Sequence, residues 1–284
     1  LLNAVVAGLL LGGFYAALSL GLTVTFGQLD VVNIAHPAFI VLGSYIAYML
    51  NSRFGIDPVL TGIVFAPIFF AVGIGVYRVY YESFERLGEE ALRGLVFFFG
   101  VMFIIEVGLI VVYGVDFRSV QSAYTAGSWN IGPVGVPMRM LVPFVVSLLM
   151  FGALSAYMSR TYTGRAIMAV AQDQLALRLM GANPVRIKQL GFGIGIATTA
   201  LAGALLIVII PVEPSLGRAY IGVVFAIVVL AGLGSVKGTL VAALILGIAE
   251  TMVSTFYGPS WAPAVAFGIL LLALAFRPQG LFGR

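Results

Sequence analysis

Few side chains in this sequence are suited to chemistry, and they are scattered through apolar segments. Asn33 and His36 stand near the start of one such segment, beside Pro37, and Glu106 lies well inside another. The run Gly232-Leu233-Gly234-Ser235-Val236-Lys237-Gly238 interrupts a third. His36 is the sole histidine and the sole side chain whose unperturbed titration falls near neutral pH. At a helix break, Asn33 and His36 have two readings: hydrogen-bonded structural groups, or the lining of a polar path. Glu106 has the same two. An ionisable group inside a span defaults to function, whereas a carboxyl tied to a backbone group or to His36 serves structure alone.

Much chemistry is excluded. Zero cysteines rule out thiol nucleophiles, disulfides and thiolate metal sites, and one histidine leaves no basis for a His-based metal centre. No nucleophile stands with a base, so no catalytic residue is assigned and the chain does not read as an enzyme. Residues 234–239 have the residue types of a phosphate-binding loop in the wrong order, so neither ATP nor any other cofactor is expected on this chain.

The elements that must position these residues are membrane helices. Hydrophobic residues make up 61% of the 284 and charged residues 9%, against about a quarter charged in a soluble domain. Apolar runs of about 20 residues predict an all-α, polytopic transmembrane bundle and not a barrel. The spans predicted are 1–27, 59–76, 95–113, 138–158, 189–210 and 261–276. Two further segments read as broken: 31–50, with Pro37 near its start, and the pair 219–230 and 239–256 about the glycine run. Counting these gives about eight or nine membrane segments in one transmembrane unit, 1–284; the side on which the N-terminus lies stays open. No basic region and cleavage site precede the first apolar run, so no secretory signal is expected. The Gly, Ser and Pro-rich connection 114–137 is poor in basic residues and belongs outside, where Trp129 and Trp261 serve as interfacial aromatics. Arg78 to Arg93, with Glu82, Glu85, Glu89 and Glu90, is assigned to the opposite, water-facing side, as are Arg277 and Arg284.

One long segment looks made for water. Residues 158–188 hold Arg160, Arg165, Arg178, Arg186 and Lys188 against Asp173, a surplus of +4 that equals the net charge of the whole protein. Basic residues concentrated in one loop mark the cytoplasmic side, and they argue for membrane orientation, not for nucleic acid. Ala166 to Met180 is rich in helix formers and apolar on most faces, Gly181 is placed to end that helix, and Asn183 with Pro184 starts a second short one. Such a hairpin either docks a protein or lies on the lipid surface.

The run Gly164-Arg165-Ala166, Ala171, Asp173, Ala176 and Met180-Gly181-Ala182-Asn183 resembles the cytoplasmic coupling motif of the branched-chain amino acid permease family of bacterial ABC importers. Asn33-Ile34-Ala35-His36 resembles that family's Asn-Phe-Ala-His signature, with Pro37 where the family usually has glycine, and 232–238 resembles its late glycine-rich break. Related ribose-type sugar permeases carry a similar loop. The resemblance implies a transport subunit of the inner membrane, with coupling loop and C-terminus cytoplasmic. It implies a sibling permease, two cytoplasmic ATPase subunits that bind the ATP, and a periplasmic substrate-binding protein. It also implies a translocation pathway drawn from Asn33, His36, Glu106, Gly232, Gly234 and Ser235. The solutes implied are branched-chain amino acids or similar amino acid, amide or organic acid solutes. The rival readings are a sugar permease of the ribose type and an ion-coupled secondary transporter, for which Glu106 is the one deep carboxylate.

Overall fold

A computed structural model describes residues 1–88, 90–131, 134–277 and 279–283. Glu89 and Arg284, both assigned above to the hairpin's side of the membrane, lie outside the described residues. The chain is helical nearly throughout: α1 (Leu2–Thr25), α2 (His36–Phe54), α3 (Pro58–Ser83), α4 (Glu90–Tyr113), α5 (Met138–Arg160), α6 (Tyr162–Val170), α7 (Gln174–Leu179), α8 (Pro184–Ile209), α9 (Leu216–Ala231), α10 (Val236–Tyr257) and α11 (Ala262–Phe276). The connection 114–137 contains a small antiparallel hairpin, β1 (Ser128–Ile131) with β2 (Val134–Pro137), which the sequence pattern did not announce.

Among the described residues, seven helices are long and apolar enough to cross a membrane. The shorter α2 and α9, of 19 and 16 residues, complete the alternation of direction. Leu29, just past α1, and Ile167 of α6 both pack on Gly191 of α8, so α1 ends on the side that carries the α6–α7 hairpin. The N-terminus therefore lies on the opposite side, which answers the parity that the sequence left open.

Helices α1 and α8 form the centre. Each is 72% buried over its most apolar stretch, against no more than 28% for the other long spans. A helix apolar all round wants burial on every side, and both fit that description. Lipid gives helices no hydrophobic reason to associate, so small residues and hydrogen bonds do the joining. At Gly12 an added Cβ would lie 2.6 Å from the Leu244 Cα on α10, and one at Gly203 of α8 would fall on the Ile40 carbonyl of α2. The hydroxyls of Thr23 and Thr239 meet at 2.8 Å across α1 and α10, and Ser44 Oγ donates to the Gly203 carbonyl at 2.6 Å.

Both predicted breaks exist. After α1 the chain doubles back through 26–35 and starts α2 inside the bundle, where the His36 ring Nε2 lies 3.0 Å from the Leu18 carbonyl of α1. Pro37 sits in the first turn of α2, where its missing N–H costs nothing. The second break, 232–235, separates α9 from α10. The two breaks touch, since a Cβ on Gly27 would strike the Gly234 backbone, and Gln28 Nε2 donates to the Gly234 carbonyl at 3.3 Å. At the other end of α9, Gly217 packs its backbone against Ala38. The starts of α2 and α9 thus meet within the bundle.

Candidate functional site: a capped hairpin and a divided polar path

The hairpin differs from the sequence reading in two respects. Ala166–Met180 is not one helix but α6 and α7, broken at 171–173, because Asp173 turns its side chain onto the backbone. Its Oδ1 accepts from the Leu175 and Ala176 N–H groups at 2.8 and 2.9 Å and caps α7. The expected second short helix is instead the first turns of the 26-residue span α8, capped by Asn183 Oδ1 from the Val185 and Arg186 N–H groups. Thr161 Oγ1 caps α6 by accepting from the Gly164 N–H at 3.0 Å. Three side-chain caps within one loop make it a jointed rigid body, not a linker.

Glycines supply the two bends. Gly164 lets α6 fold back on α5: a Cβ there would lie 2.5 Å from the Met158 Cα and would strike the Tyr157 carbonyl. Gly181, at φ 81°, closes α7 in the left-handed region that other residues avoid.

The hairpin has two faces. Ala166, Ile167, Val170 and Leu177 are buried against the bundle. Leu175, Leu179 and Met180 are 67%, 81% and 73% exposed, a cluster of large apolar groups pointing away from it. Of the expected coupling residues, Gly164 and Ala166 are buried, whereas Arg165, Ala171, Asp173, Ala176, Met180, Gly181 and Asn183 are exposed.

A buried ion pair anchors the hairpin, and sequence reasoning missed it. Lys188 Nζ, at the base of α8, donates to Glu85 Oε1 at 2.6 Å, with side chains 7% and 9% exposed. Tyr77 of α3 donates to the other carboxylate oxygen at 2.6 Å. The pair ties the start of α8 to the turn after α3 and floors a cleft of about 220 Å³ that Arg86, Gln174 and Arg178 also line. The available signal was the mix of acids and arginines in 78–93, which at the level of sequence served only to assign a side of the membrane.

The pathway residues fall into three places. His36 and Asn33 are fully buried beside α1, and Asn33 Oδ1 accepts from the Ala35 N–H at 3.1 Å. Their remaining side-chain nitrogens, His36 Nδ1 and Asn33 Nδ2, have no hydrogen-bond partner among the described residues. Among the described residues Glu106 bonds neither His36 nor a backbone group, the structural partners considered for it; Arg218, in the first turn of α9, donates to it at 2.5 Å. Gly232, Gly234 and Ser235 lie at the hairpin end, where the C-terminal tail covers them: the Leu281 and Phe282 N–H groups donate to the Leu230 and Ala231 carbonyls. Ser235 Oγ caps α10 from the Gly238 N–H at 3.0 Å. Of the other charged groups, Glu250 accepts from the Tyr15 hydroxyl, which lies 3.0 and 2.9 Å from its two carboxylate oxygens. Asp30 and Lys237 make no ion pair among the described residues.

Interrupted helices whose starts meet inside an apolar bundle, a few buried polar groups, and a capped hairpin at one end fit a membrane transport permease. The comparisons agree. Residues 4–274 match the family model described as "Branched-chain amino acid transport system / permease component", and the chain belongs to that family. It is 31% identical to the high-affinity branched-chain amino acid transport system permease protein BraD of Pseudomonas aeruginosa, covering 100% of this chain and 96% of that one. It is 29% identical to the corresponding protein LivH of Escherichia coli K12, over 98% and 94%. The solved structure of PsaBC from Streptococcus pneumoniae in complex with Fab shares the fold at 12% identity, with a TM-score of 0.51 over 99% of this chain and 93% of that one. The protein is accordingly a multi-pass permease subunit of an importer, a transport subunit and not a catalytic one.

Proposed function

We propose that the chain, as a single transmembrane permease unit, moves branched-chain amino acids or chemically similar amino acid, amide or organic acid solutes into the cytoplasm, driven by ATP hydrolysed on separate subunits. The observation that carries this is the hairpin: capped at three points, pinned at its base by Lys188 and Glu85, and presenting Leu175, Leu179 and Met180 to the side. Large apolar groups on a rigid water-side projection fit a protein socket. A partner that grips them displaces α6 and α7 as a body, and Gly164 and Lys188 pass the motion to α5, α8 and α3. Two global states and a defined contact are what such coupling requires.

In this reading the hairpin and the C-terminal tail face the cytoplasm of a cell with an inner membrane, and the β1–β2 hairpin faces a periplasmic binding protein. The weakly buried outer faces of α3, α4, α5, α10 and α11 leave room for a sibling permease as well as lipid. The chain itself carries no cofactor. Asn33, His36 and Glu106 belong to the pathway walls, and the glycine break at 232–235 is a joint near its inner end.

The test is reconstitution with candidate ATPase subunits and a candidate binding protein from the same organism. Uptake of labelled leucine that requires ATP, together with a disulfide from Gln172→Cys to a cysteine on the ATPase subunit, supports the proposal. Uptake that persists on an ion gradient without those subunits refutes it.

A further inference from the structure

Glu106 lies seven residues before the end of α4, about 10 Å below the outer end at 1.5 Å per residue. Its carboxyl is 7% exposed, yet the Arg218 side chain that pairs with it is 53% exposed. Only Nη2 of Arg218 is engaged; the other guanidinium donors have no protein partner among the described residues. A cation half open to hydrocarbon at this depth is costly. Its open side therefore faces water or an anion, and a planar fork of N–H donors matches a carboxylate.

The surroundings point the same way. Arg218 is in the first turn of α9, the start of α2 packs against it through Gly217 and Ala38, and neither helix start is capped by a side chain. Both ends contribute partial positive charge. The fully buried Asn33 amide nitrogen, three residues before α2, has no acceptor among the described residues. Polar groups also lead inward from the outer loop. Arg118 is bridged through its backbone to Val212 and lies 5.7 Å over the Tyr48 ring, and Ser215 donates to Glu213 at 2.6 Å one turn before Arg218.

We propose that Arg218 is a receiving point for the carboxylate of the translocated solute in the outer half of the pathway, with Glu106 as the positioning residue that holds its guanidinium. The assignment rests on the importer reading above and adds to it which solute group is recognised within the membrane, and where. A solute carboxylate takes the free donors, and its release inward follows when α9 moves against α4.

The chain has no cysteine, so a cysteine at 218 is unique within it. The assembled transporter, in lipid nanodiscs for labelling and in liposomes for uptake, is studied as wild type, Arg218→Gln and Arg218→Cys. The substitutions are expected to lower amino acid uptake about 10- to 100-fold, the range spanned by hydrogen bonds to charged groups. Aminoethyl methanethiosulfonate, which restores an ammonium at position 218, is expected to recover most of the uptake, and the neutral methyl reagent is not. Solute-loaded binding protein is expected to slow that labelling. Wild-type uptake in Arg218→Gln, equal recovery by both reagents, or a thiol already covered by lipid or the sibling chain before solute is added would each overturn the assignment. Should Arg218→Cys fail to assemble, Arg218→Cys with Glu106→Gln removes the stranded carboxylate and carries the same labelling test. A wild-type complex that imports no amino acid refutes the importer reading instead, before any substitution is made.

Discussion

Replacing Lys188 with methionine removes one partner of an ion pair whose side chains are 7% and 9% exposed. Water is largely kept from what remains, so among the described residues the Glu85 carboxylate keeps the Tyr77 hydroxyl at 2.6 Å. Breaking one side of a buried pair costs about 3–5 kcal/mol, because a charge is left without compensation. Replacing both, as Glu85→Leu with Lys188→Met, removes the stranded charge as well. What then remains is the loss of the Tyr77 hydrogen bond to Glu85, about 1.5–3 kcal/mol for a bond to a charged group. The double variant is thus expected to be more stable than Lys188→Met alone, and far more stable than the sum of the two single losses. Titration of the purified protein with SDS in mixed micelles, followed by helical circular dichroism, measures each difference. Because the pair is buried, raising salt should change the result little. A Lys188→Met loss below about 1 kcal/mol, or a double variant that shows the full sum, would refute the view that this pair is desolvated and coupled.

Asp173→Ala removes the α7 cap at a cost of about 1 kcal/mol by the usual scale of caps, with uptake falling more than stability if the hairpin is the lever; unfolding and transport assays on one preparation separate the two. Gly181→Ala forces a side chain into φ 81° and is expected to cost about 1–2 kcal/mol by SDS titration, since no neighbour crowds the position and only backbone strain acts. Gly203→Val drives a side chain onto the Ile40 carbonyl and is expected to abolish accumulation of folded protein in membranes, read by size-exclusion profile. Single cysteines at Asn3 and Thr125 should react with an impermeant maleimide from one side of the membrane and a cysteine at Gln172 from the other; labelling of all three from one side would overturn the topology.

Composition and apolar run length were enough to specify a helical membrane bundle, because a chain in lipid must satisfy its backbone internally and about 20 residues are needed to cross. Local chemistry made the breaks legible too: Pro37 suits the first turn of a helix and not its interior, and Gly232 and Gly234 take the positive φ that ends one. The hairpin motif and its cap at Asn183 were readable for the same reason, since capping involves neighbours in sequence. Asp173 shows the limit of that reasoning, because its side chain ends one helix and begins another where helix propensity alone favoured continuity. Pairings across the bundle were not legible. Glu106 with Arg218 and Glu85 with Lys188 join residues 112 and 103 positions apart, and nothing in the sequence near either carboxylate names its partner. Desolvation and the meeting of helix ends decide those pairings, and both exist only once the helices are packed.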